Sequence, residues 1–302
     1  MKYVFNAIIA TIVILVIRMA ACKNPTPESN GIETAKLHTS NTSGNIMLKK
    51  CKNYFSMPKA AVFDKEKGEI YISNIVYDTD SSDTFGYICR ASIYGEIVDT
   101  LNISDLKQPL GMTINNNSLY IVDKQTIIQF DLNLDSVTNK FQIQDSKQLS
   151  DIISLPDEEL YACDPLKNCV FHVSKDGSSD IFCSDSLCKT ASALCRYEDC
   201  IYLTTENSIV KIPLKGKPAT LKKLTFTPSG IKTDFNGGFY VSSTSEGVFW
   251  IDKNGNIENI IKKRNNISNE KFDIVERQNM LFLPTGKDNS LEIYELGSTK
   301  EK

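Results

Sequence analysis

Residues 109–131, PLGMTINNNSLYIVDKQTIIQFD, contain three short apolar runs that are separated by polar turns. The first run opens with Pro109 and Gly111, the second ends at Asp123, and the third alternates in polarity up to Asp131. Runs this short, divided by such brief turns, predict a β-meander with no room for a helix. Because one meander cannot bury both of its faces, we expect neighbouring units of the same kind.

The pattern of residues 109–131 recurs along the chain. A Tyr recurs in the second run of five units, at Tyr71, Tyr120, Tyr161, Tyr202 and Tyr240. The positions equivalent to Gly111, which we use as anchors, are Ala60, Gly111, Asp151, Ala193, Gly230 and Asp273. Their spacing is close to the roughly 40–45 residues of a four-stranded propeller blade. The sequence therefore predicts an all-β, six-bladed β-propeller.

The sixth unit runs out of sequence before a fourth strand. Residues 46–53 alternate in polarity and precede the first anchor. We expect this N-terminal segment to supply the missing outer strand and so to close the ring, since an open sheet edge is an aggregation hazard. An open solenoid of six units is the alternative.

The first 22 residues carry a targeting signal. Lys2 precedes an apolar stretch at residues 4–17, which is too short to span a bilayer comfortably. Residues 19–22, Met-Ala-Ala-Cys, resemble a bacterial lipobox, so Cys22 is the predicted lipidation site; an ordinary secretory peptide is the alternative. We assign residues 1–21 to a signal peptide, 22–45 to a flexible Pro/Ser/Thr/Asn-rich tether, 46–297 to the propeller and 298–302 to a tail.

Eight cysteines remain once Cys22 is set aside from the total of nine, an even number that suits an oxidising compartment. Six of them crowd together as Cys163 and Cys169, Cys183 and Cys188, and Cys195 and Cys200. The first and last of these pairs flank turns, so local disulfides are predicted, with Cys163, Cys169, Cys195 and Cys200 as the candidates and the connectivity left open. A zinc site is the alternative, but the chain has no CxxC pair and only two histidines, His38 and His172.

The net charge of −3, from 37 acidic and 34 basic residues, leaves no broad basic surface for nucleic acid. The sequence has no P-loop, Rossmann fingerprint or HExxH motif. His172 lies in a predicted strand, which favours a packed or surface residue over a catalyst.

The strands LYIVD (119–123), GGFYVSS (237–243) and YISNI (71–75), with the blade openings, resemble the gluconolactonase/regucalcin (senescence marker protein) family of six-bladed propellers. NHL-repeat propellers are looser relatives. The resemblance implies one divalent cation, calcium or zinc, held in the central channel by Glu, two Asn and an Asp that doubles as general base in lactone hydrolysis. At the matching places this chain has Lys59, Ser150, Ser192 and Ser229.

All four of these residues depart from the family's pattern. Neutral hydroxyls are poor ligands for a hard cation, and the ammonium of Lys59 repels one and could pair with Asp151 or Asp273 instead. The general base is missing at Ser229. We therefore predict no cofactor, with a metal site rebuilt from Asp151 and Asp273 as the alternative.

The sequence thus predicts a monomeric, exported lipoprotein of the bacterial cell envelope, held at the membrane by its lipid. Its expected function is non-catalytic binding of a small polar ligand or a protein partner. One alternative is a divergent metal-dependent lactonase or related hydrolase, and another is a purely structural lipoprotein without a ligand, because a fold does not specify a function. The candidate channel-mouth residues are Lys59, Ser150, Asp151, Ser192, Ser229 and Asp273.

Overall fold

The computed structural model describes residues 47–52, 54–78, 83–262, 270–275 and 279–296 of the 302-residue chain. The predicted signal peptide, the lipidation site Cys22, the tether up to residue 45 and the tail lie outside the described residues. Within them the chain forms 24 strands and one short 3-10 helix. None of the helical structure described is long and apolar enough to cross a membrane.

Each of the first three sheets is built from four consecutive strands. The first contains β2 (Pro58–Asp64), β3 (Glu69–Tyr77), β4 (Thr84–Ser92) and β5 (Ile97–Thr100). The second contains β6 (Pro109–Asn115), β7 (Ser118–Asp123), β8 (Thr126–Asp131) and β9 (Ser136–Gln142). The third contains β10 (Asp151–Ser154), β11 (Leu160–Asp164), β12 (Cys169–Val173) and β13 (Ser179–Cys183). The 3-10 helix η1 (Ser186–Cys188) follows.

The remaining sheets repeat this order. The fourth contains β14 (Ala193–Tyr197), β15 (Cys200–Thr204), β16 (Ser208–Pro213) and β17 (Ala219–Lys223). The fifth contains β18 (Pro228–Thr233), β19 (Phe239–Ser243), β20 (Gly247–Ile251) and β21 (Ile257–Lys262). The sixth contains β22 (Asp273–Val275), β23 (Met280–Thr285) and β24 (Ser290–Glu295), with β1 (Met47–Lys52) paired to β24. The six four-stranded sheets confirm the predicted six-bladed β-propeller.

The turn between β6 and β7 sets the register of these two strands in the second blade, which contains the repeat pattern of residues 109–131. Asn115 pairs with Ser118, so β6 and β7 are joined by a two-residue turn. Both turn residues have positive φ, 46° at Asn116 and 62° at Asn117. Asn tolerates this conformation, and a two-residue turn with two positive φ angles matches the twist of the paired strands.

The blades are held together by apolar side chains between neighbouring sheets. Tyr71 and Ile88 of the first blade pack in one buried cluster with Met112 and Ile121 of the second. Between the sixth and first blades, the rings of Phe63 and Phe282 stack with their centroids 5.8 Å apart. Apolar area removed from water in this way is the main favourable term in folding.

Strand β1 completes the sixth sheet from the N-terminal side of the described chain. Met47 pairs with Glu295 and Lys52 with Leu291, in antiparallel register. The half-buried Leu48 packs against the buried cluster of the fifth and sixth blades. The backbone edge of β24 is therefore covered by a strand that precedes the first blade.

Deleting residues 47–52 should destabilise the propeller, because it uncovers the edge of β24 and removes five cross-strand pairs. At about 0.2–1 kcal/mol per pair, the melting temperature should fall by roughly 5–10 °C. Calorimetry of the variant measures this. Deleting six residues of the predicted tether, 24–29, is the length-matched control and should leave the melting temperature unchanged. An unchanged value for the 47–52 deletion would contradict the role of β1.

Candidate functional site

The pairing register defines which residues are equivalent around the central channel. In five blades the recurring Tyr of the second strand pairs with a residue of the first, innermost strand. In the sixth blade Phe282 takes the place of this Tyr and pairs with Asp273. Two residues before these partners lie the six anchors, Ala60, Gly111, Asp151, Ala193, Gly230 and Lys271. A parallel bridge between Ala60 and Lys271 supports this alignment. The sequence analysis placed Asp273 at the sixth anchor, and the register places Lys271 there.

This alignment also fixes the ring of residues that immediately precede the anchors, which we call the entry ring. Its members are Lys59, Leu110, Ser150, Ser192, Ser229 and Glu270. Four of them were predicted from the sequence. Glu270 was missed, because the sixth unit lacks the Tyr that aligns the other five. Matching Phe282 to that Tyr would have found it.

The entry ring is held by hydrogen bonds between neighbouring blades. At five of the six interfaces, within the part of the chain that the structure describes, an entry-ring carbonyl accepts a hydrogen bond from the preceding blade. The donors and acceptors are Ser73 Oγ to Leu110 O (2.8 Å), Gly111 N to Ser150 O (3.0 Å), Ser150 Oγ to Ser192 O (2.8 Å), Ser242 Oγ to Glu270 O (2.9 Å) and Lys271 N to Lys59 O (3.1 Å).

The three serines of the entry ring use their hydroxyls within the protein. Ser150 Oγ donates to the next blade, as above, and Ser192 Oγ lies 3.0 Å from Thr204 Oγ1. Ser229 Oγ lies 3.0 Å from Ser242 Oγ. These hydroxyls therefore satisfy buried or half-buried partners, which is the role expected of polar groups removed from water.

Two carboxylates also join neighbouring blades by accepting hydrogen bonds, at different depths of the ring. Asp151 Oδ2 accepts a hydrogen bond from the backbone N–H of Leu194 at 2.9 Å. Asp273 Oδ2 accepts one from Phe63 N–H at 2.8 Å. In each case the donor belongs to the next blade and lies one residue further along its inner strand. Both predicted carboxylates thus join blades.

Lysines neutralise the carboxylates near the axis. Lys59 Nζ lies 3.1 Å from Glu270 Oε1, rather than pairing with Asp151 or Asp273 as the sequence suggested. Lys232 Nζ lies 3.2 Å from Asp273 Oδ1. Each of these pairs leaves less charge to attract a cation.

Burial and charge shift two of the pKa values at the axis. Burial raises the pKa of Asp151 above its usual value, although the charges of Lys271 and Lys232 and the Leu194 N–H oppose it. Burial alone would lower the pKa of Lys232, but Asp273 and Asp151 outweigh it, so its pKa is raised. Lys232 therefore stays charged.

The centre of the ring is nearly filled. The cavity lined by Asp151, Gly230, Lys232 and Lys271 has a volume of about 10 Å³, which is at the lower limit for one ordered water. Glycines allow this closeness: a Cβ on Gly111 would lie 2.1 Å from Asp151 Oδ1. A cavity of this volume is too small for an organic ligand.

The donors present do not fit the divalent cation that the family resemblance implies. A hard cation needs several carboxylate or carbonyl oxygens facing one point. Here the serines are neutral and hydrogen-bonded, and Glu270 and Asp273 each face a lysine. Among the described residues, no three His, Cys, Asp or Glu side chains come together to hold a metal.

The cysteines predicted to form disulfides are not bonded. Cys163 pairs with Val170, and its neighbour Asp164 pairs with Cys169, so the two thiols lie on opposite faces of their sheet. Cys195 and Cys200 share a face, but each lies opposite a tyrosine, and they are diagonal neighbours. Diagonal neighbours in a sheet are about 7–8 Å apart, with their Cβ atoms only somewhat closer, whereas the Cβ atoms of a disulfide lie about 3.5–4.5 Å apart. The structure therefore shows a disulfide at neither place, because flanking a turn does not make two residues face each other.

His172 lies on the outer part of the third blade in an ion-pair cluster. Its Nδ1 is 2.9 Å from Asp180 Oδ1, and its Nε2 contacts the carboxylate of Glu159. Burial opposes the charged ring, but the two carboxylates outweigh it and raise its pKa. This supports the surface interpretation of His172.

A larger polar groove lies between the third and fourth blades. Its volume is about 200 Å³, and hydroxyl and amide side chains dominate its lining. The lining residues include Ser186, Lys189, Thr190, Glu206, Asn207 and Thr220. The groove could not be predicted from a local sequence pattern, because its walls are the turn after β15 and the segment after β13, which belong to different blades.

Thr190 gives the groove a strained wall. Its φ is 59°, a left-handed conformation that β-branched residues rarely adopt and that costs about 1–3 kcal/mol. Thr190 Oγ1 accepts a hydrogen bond from Glu206 N at 3.0 Å, and Thr190 N donates one to Asn168 Oδ1 at 3.0 Å. Strain of this kind persists where the surroundings enforce it, and it clusters at functional sites.

Comparison with known structures places the chain among six-bladed propellers. A streptogramin B lyase has a TM-score of 0.61 at 11% identity, covering 84% of this chain and 98% of that one. A catalytically inactive variant of virginiamycin B lyase from Staphylococcus aureus, with quinupristin, gives 0.60 at 13% identity, covering 83% and 100%. A putative gluconolactonase gives 0.61 at 13% identity, covering 84% and 92%. Identities this low show a shared fold and no more.

No protein-family model and no curated protein sequence matches the chain. The fold and the entry ring together define the class: a six-bladed β-propeller whose centre is closed by hydrogen bonds between blades.

The two axial aspartates should respond oppositely to removal of charge. Asp151→Asn should raise stability at pH 7, because an amide still accepts from Leu194 and carries no buried charge. Since the pKa of Asp151 is raised in the folded state, this gain should shrink as the pH falls toward 4. Asp273→Asn should cost about 2 kcal/mol, because it leaves Lys232 unpaired. Urea unfolding at pH 7 and pH 4 measures both, and equal effects at pH 7 would contradict the assignment.

Proposed function

We propose that this protein is a binding propeller of the bacterial cell envelope that takes up a small polar ligand without metal-dependent hydrolysis. One observation carries the proposal. Four of the entry-ring residues stand at the family's metal positions, and their polar groups are engaged in hydrogen bonds and ion pairs, either within one blade or between neighbouring blades. A ligand must therefore bind away from the axis.

The groove between the third and fourth blades supports the proposal as the binding place. Its volume of about 200 Å³ suits a small molecule rather than a drug-sized one. Hydroxyl and amide groups can orient a polar ligand by hydrogen bonds, and both Lys189 and Glu206 lie at the wall. Thr190 adds a strained position of the kind found at binding sites. A polar loop of a protein partner is the other occupant that this lining suits.

The predicted location at the cell envelope supports a binding role. The lipobox-like residues 19–22 would place a lipid on Cys22, and the flexible tether of residues 22–45 would hold the propeller away from the membrane. A lipid-anchored module exposes its groove to the surrounding compartment and keeps any bound ligand near the surface. Because the net charge is only −3, no broad charged surface attracts a ligand, and recognition would depend on the groove.

A divergent metal-dependent lactonase is the second candidate. The observation in its favour is that three carboxylates, of Asp151, Glu270 and Asp273, lie near the axis. Two of them face lysines, which neutralise them and oppose cation binding. This candidate requires rearrangement of both ion pairs before a metal can be held.

A hydrolysis screen separates the two candidates. We expect the purified protein to show no stoichiometric calcium or zinc binding by calorimetry, and no metal-dependent turnover of lactones or phosphotriesters. Lys59→Glu and Ser229→Asp, assayed singly and together, restore carboxylates at two family positions. If the wild type already turns over substrate only when metal is added, the binding function is wrong.

Filling the groove should abolish ligand-dependent stabilisation. We expect Thr220→Trp to remove the melting-temperature increase produced by small polar compounds, tested with monosaccharides, amino acids and dicarboxylates. Thr138→Trp is the matched control, because both threonines are exposed on outermost strands, of the fourth and second blades. A compound that still stabilises Thr220→Trp as strongly as the control binds elsewhere and contradicts the groove.

A further inference from the structure

We propose that Cys183 and Cys188 are joined by a disulfide that fixes the loop forming one wall of the groove. This modification site is independent of what the groove binds, and it differs from the two cysteine pairs that the sequence suggested. It rests on the positions of the two sulfur atoms, on the local chain geometry and on the contrast with the other cysteines.

The two sulfur atoms lie 2.6 Å apart, and both side chains are buried. Even carbon atoms, which are smaller than sulfur, stay about 3.5–4.0 Å apart when they are not bonded. The backbone has thus already brought these two thiols together, and only a small adjustment separates them from a bond. Neither Cys163 and Cys169 nor Cys195 and Cys200 have a geometry that allows this.

Local structure explains the approach of the two thiols. Cys183 is the last residue of β13, and Cys188 is the last residue of η1. Asp185 caps η1 by accepting a hydrogen bond from Leu187 N at 2.9 Å, which turns the chain back on itself. Cys188 N donates to Asp185 O at 2.8 Å within the same turn. Both sulfurs then enter the apolar cluster between the third and fourth blades.

Burial makes the Cys188 thiol a poor nucleophile once the loop is packed. It raises the pKa of Cys188, and the neighbouring Cys183 raises it further. Because the thiolate is the reactive form, we expect the bond to form while the loop is still open during folding. The predicted export of the chain would place that folding in an oxidising compartment.

The oxidation needs a disulfide as co-reactant. One Cys183 or Cys188 thiolate attacks a sulfur of an external disulfide, forming a mixed disulfide and releasing one thiol. The second cysteine then attacks the mixed disulfide, forms the Cys183–Cys188 bond and releases the second thiol. Two protons and two electrons pass from the protein thiols to the external disulfide, which ends as two thiols.

The bond would hold the groove wall at its base. The residues between and just after the two cysteines, including Ser186, Leu187, Lys189 and Thr190, line the groove. A covalent link between η1 and β13 restricts the opening of this segment. The oxidised protein should therefore have a preformed wall, and the reduced protein a wall that opens more easily.

Peptide mapping tests the bond directly. Trypsin cleaves after Lys175 and Lys189 and releases residues 176–189, which contain Cys183 and Cys188 and no other cysteine. The full chain is refolded in glutathione and glutathione disulfide, alkylated without reduction and digested. We expect this peptide to be lighter by two hydrogens and unalkylated. The peptide 190–196, which contains only Cys195, is the internal control and should be alkylated.

Two outcomes of this experiment would overturn the proposal: alkylation of both cysteines in the peptide 176–189, or attachment of glutathione to one of them. Cys183→Ser should abolish the protected peptide, whereas Cys195→Ser should leave it unchanged. Hydrogen exchange at residues 184–190 should be slower in the oxidised wild type than in the reduced one. Equal exchange would show that the bond does not fix the wall.

Discussion

Hydrogen bonds between neighbouring inner strands are the constraint on which the centre of this protein depends. Each blade can form its own four-stranded sheet, but many polar groups at the axis are removed from bulk water once six blades meet and need partners within the protein. The protein meets this need by aiming a hydroxyl, a carboxylate or an N–H of one blade at the next. Buried polar groups that are fully satisfied make an arrangement rigid and unique.

That arrangement changes what the axis can do. A related ring with free carboxylate and amide side chains can hold a cation, whereas here the same positions carry short hydroxyls that reach only to the adjacent strand. Lys59 and Lys232 form ion pairs with two of the acidic groups that remain, Glu270 and Asp273. The polar groups at the axis are used for contacts that hold the blades together, and a larger polar space is found beside Thr190, between the third and fourth blades.

The sequence predicted the fold well, because the repeat is local. The meander of residues 109–131, with Asn116 and Asn117 at its turn, shows its strands through spacing alone, and four entry-ring residues followed from it. Features that depend on strand register, or on the face of the sheet on which a side chain lies, were harder to predict from the sequence. The sixth unit lacks the Tyr by which the other five units were aligned, so its anchor was placed two residues too late, at Asp273 instead of Lys271. The spacing of Cys163 and Cys169 could not show that their thiols lie on opposite faces. The groove joins segments of two blades and has no local pattern.

The pairing of β1 with β24 has a consequence for how this domain can be connected to other chains. Because Met47 lies opposite Glu295, both ends of the propeller leave it at one point on the outer edge of one blade. A domain with adjacent ends can be inserted into a loop of another protein, or circularly permuted, without disturbing its interior. New ends could be opened at the exposed turn between β20 and β21, around Asn254, with a short linker joining the present ones.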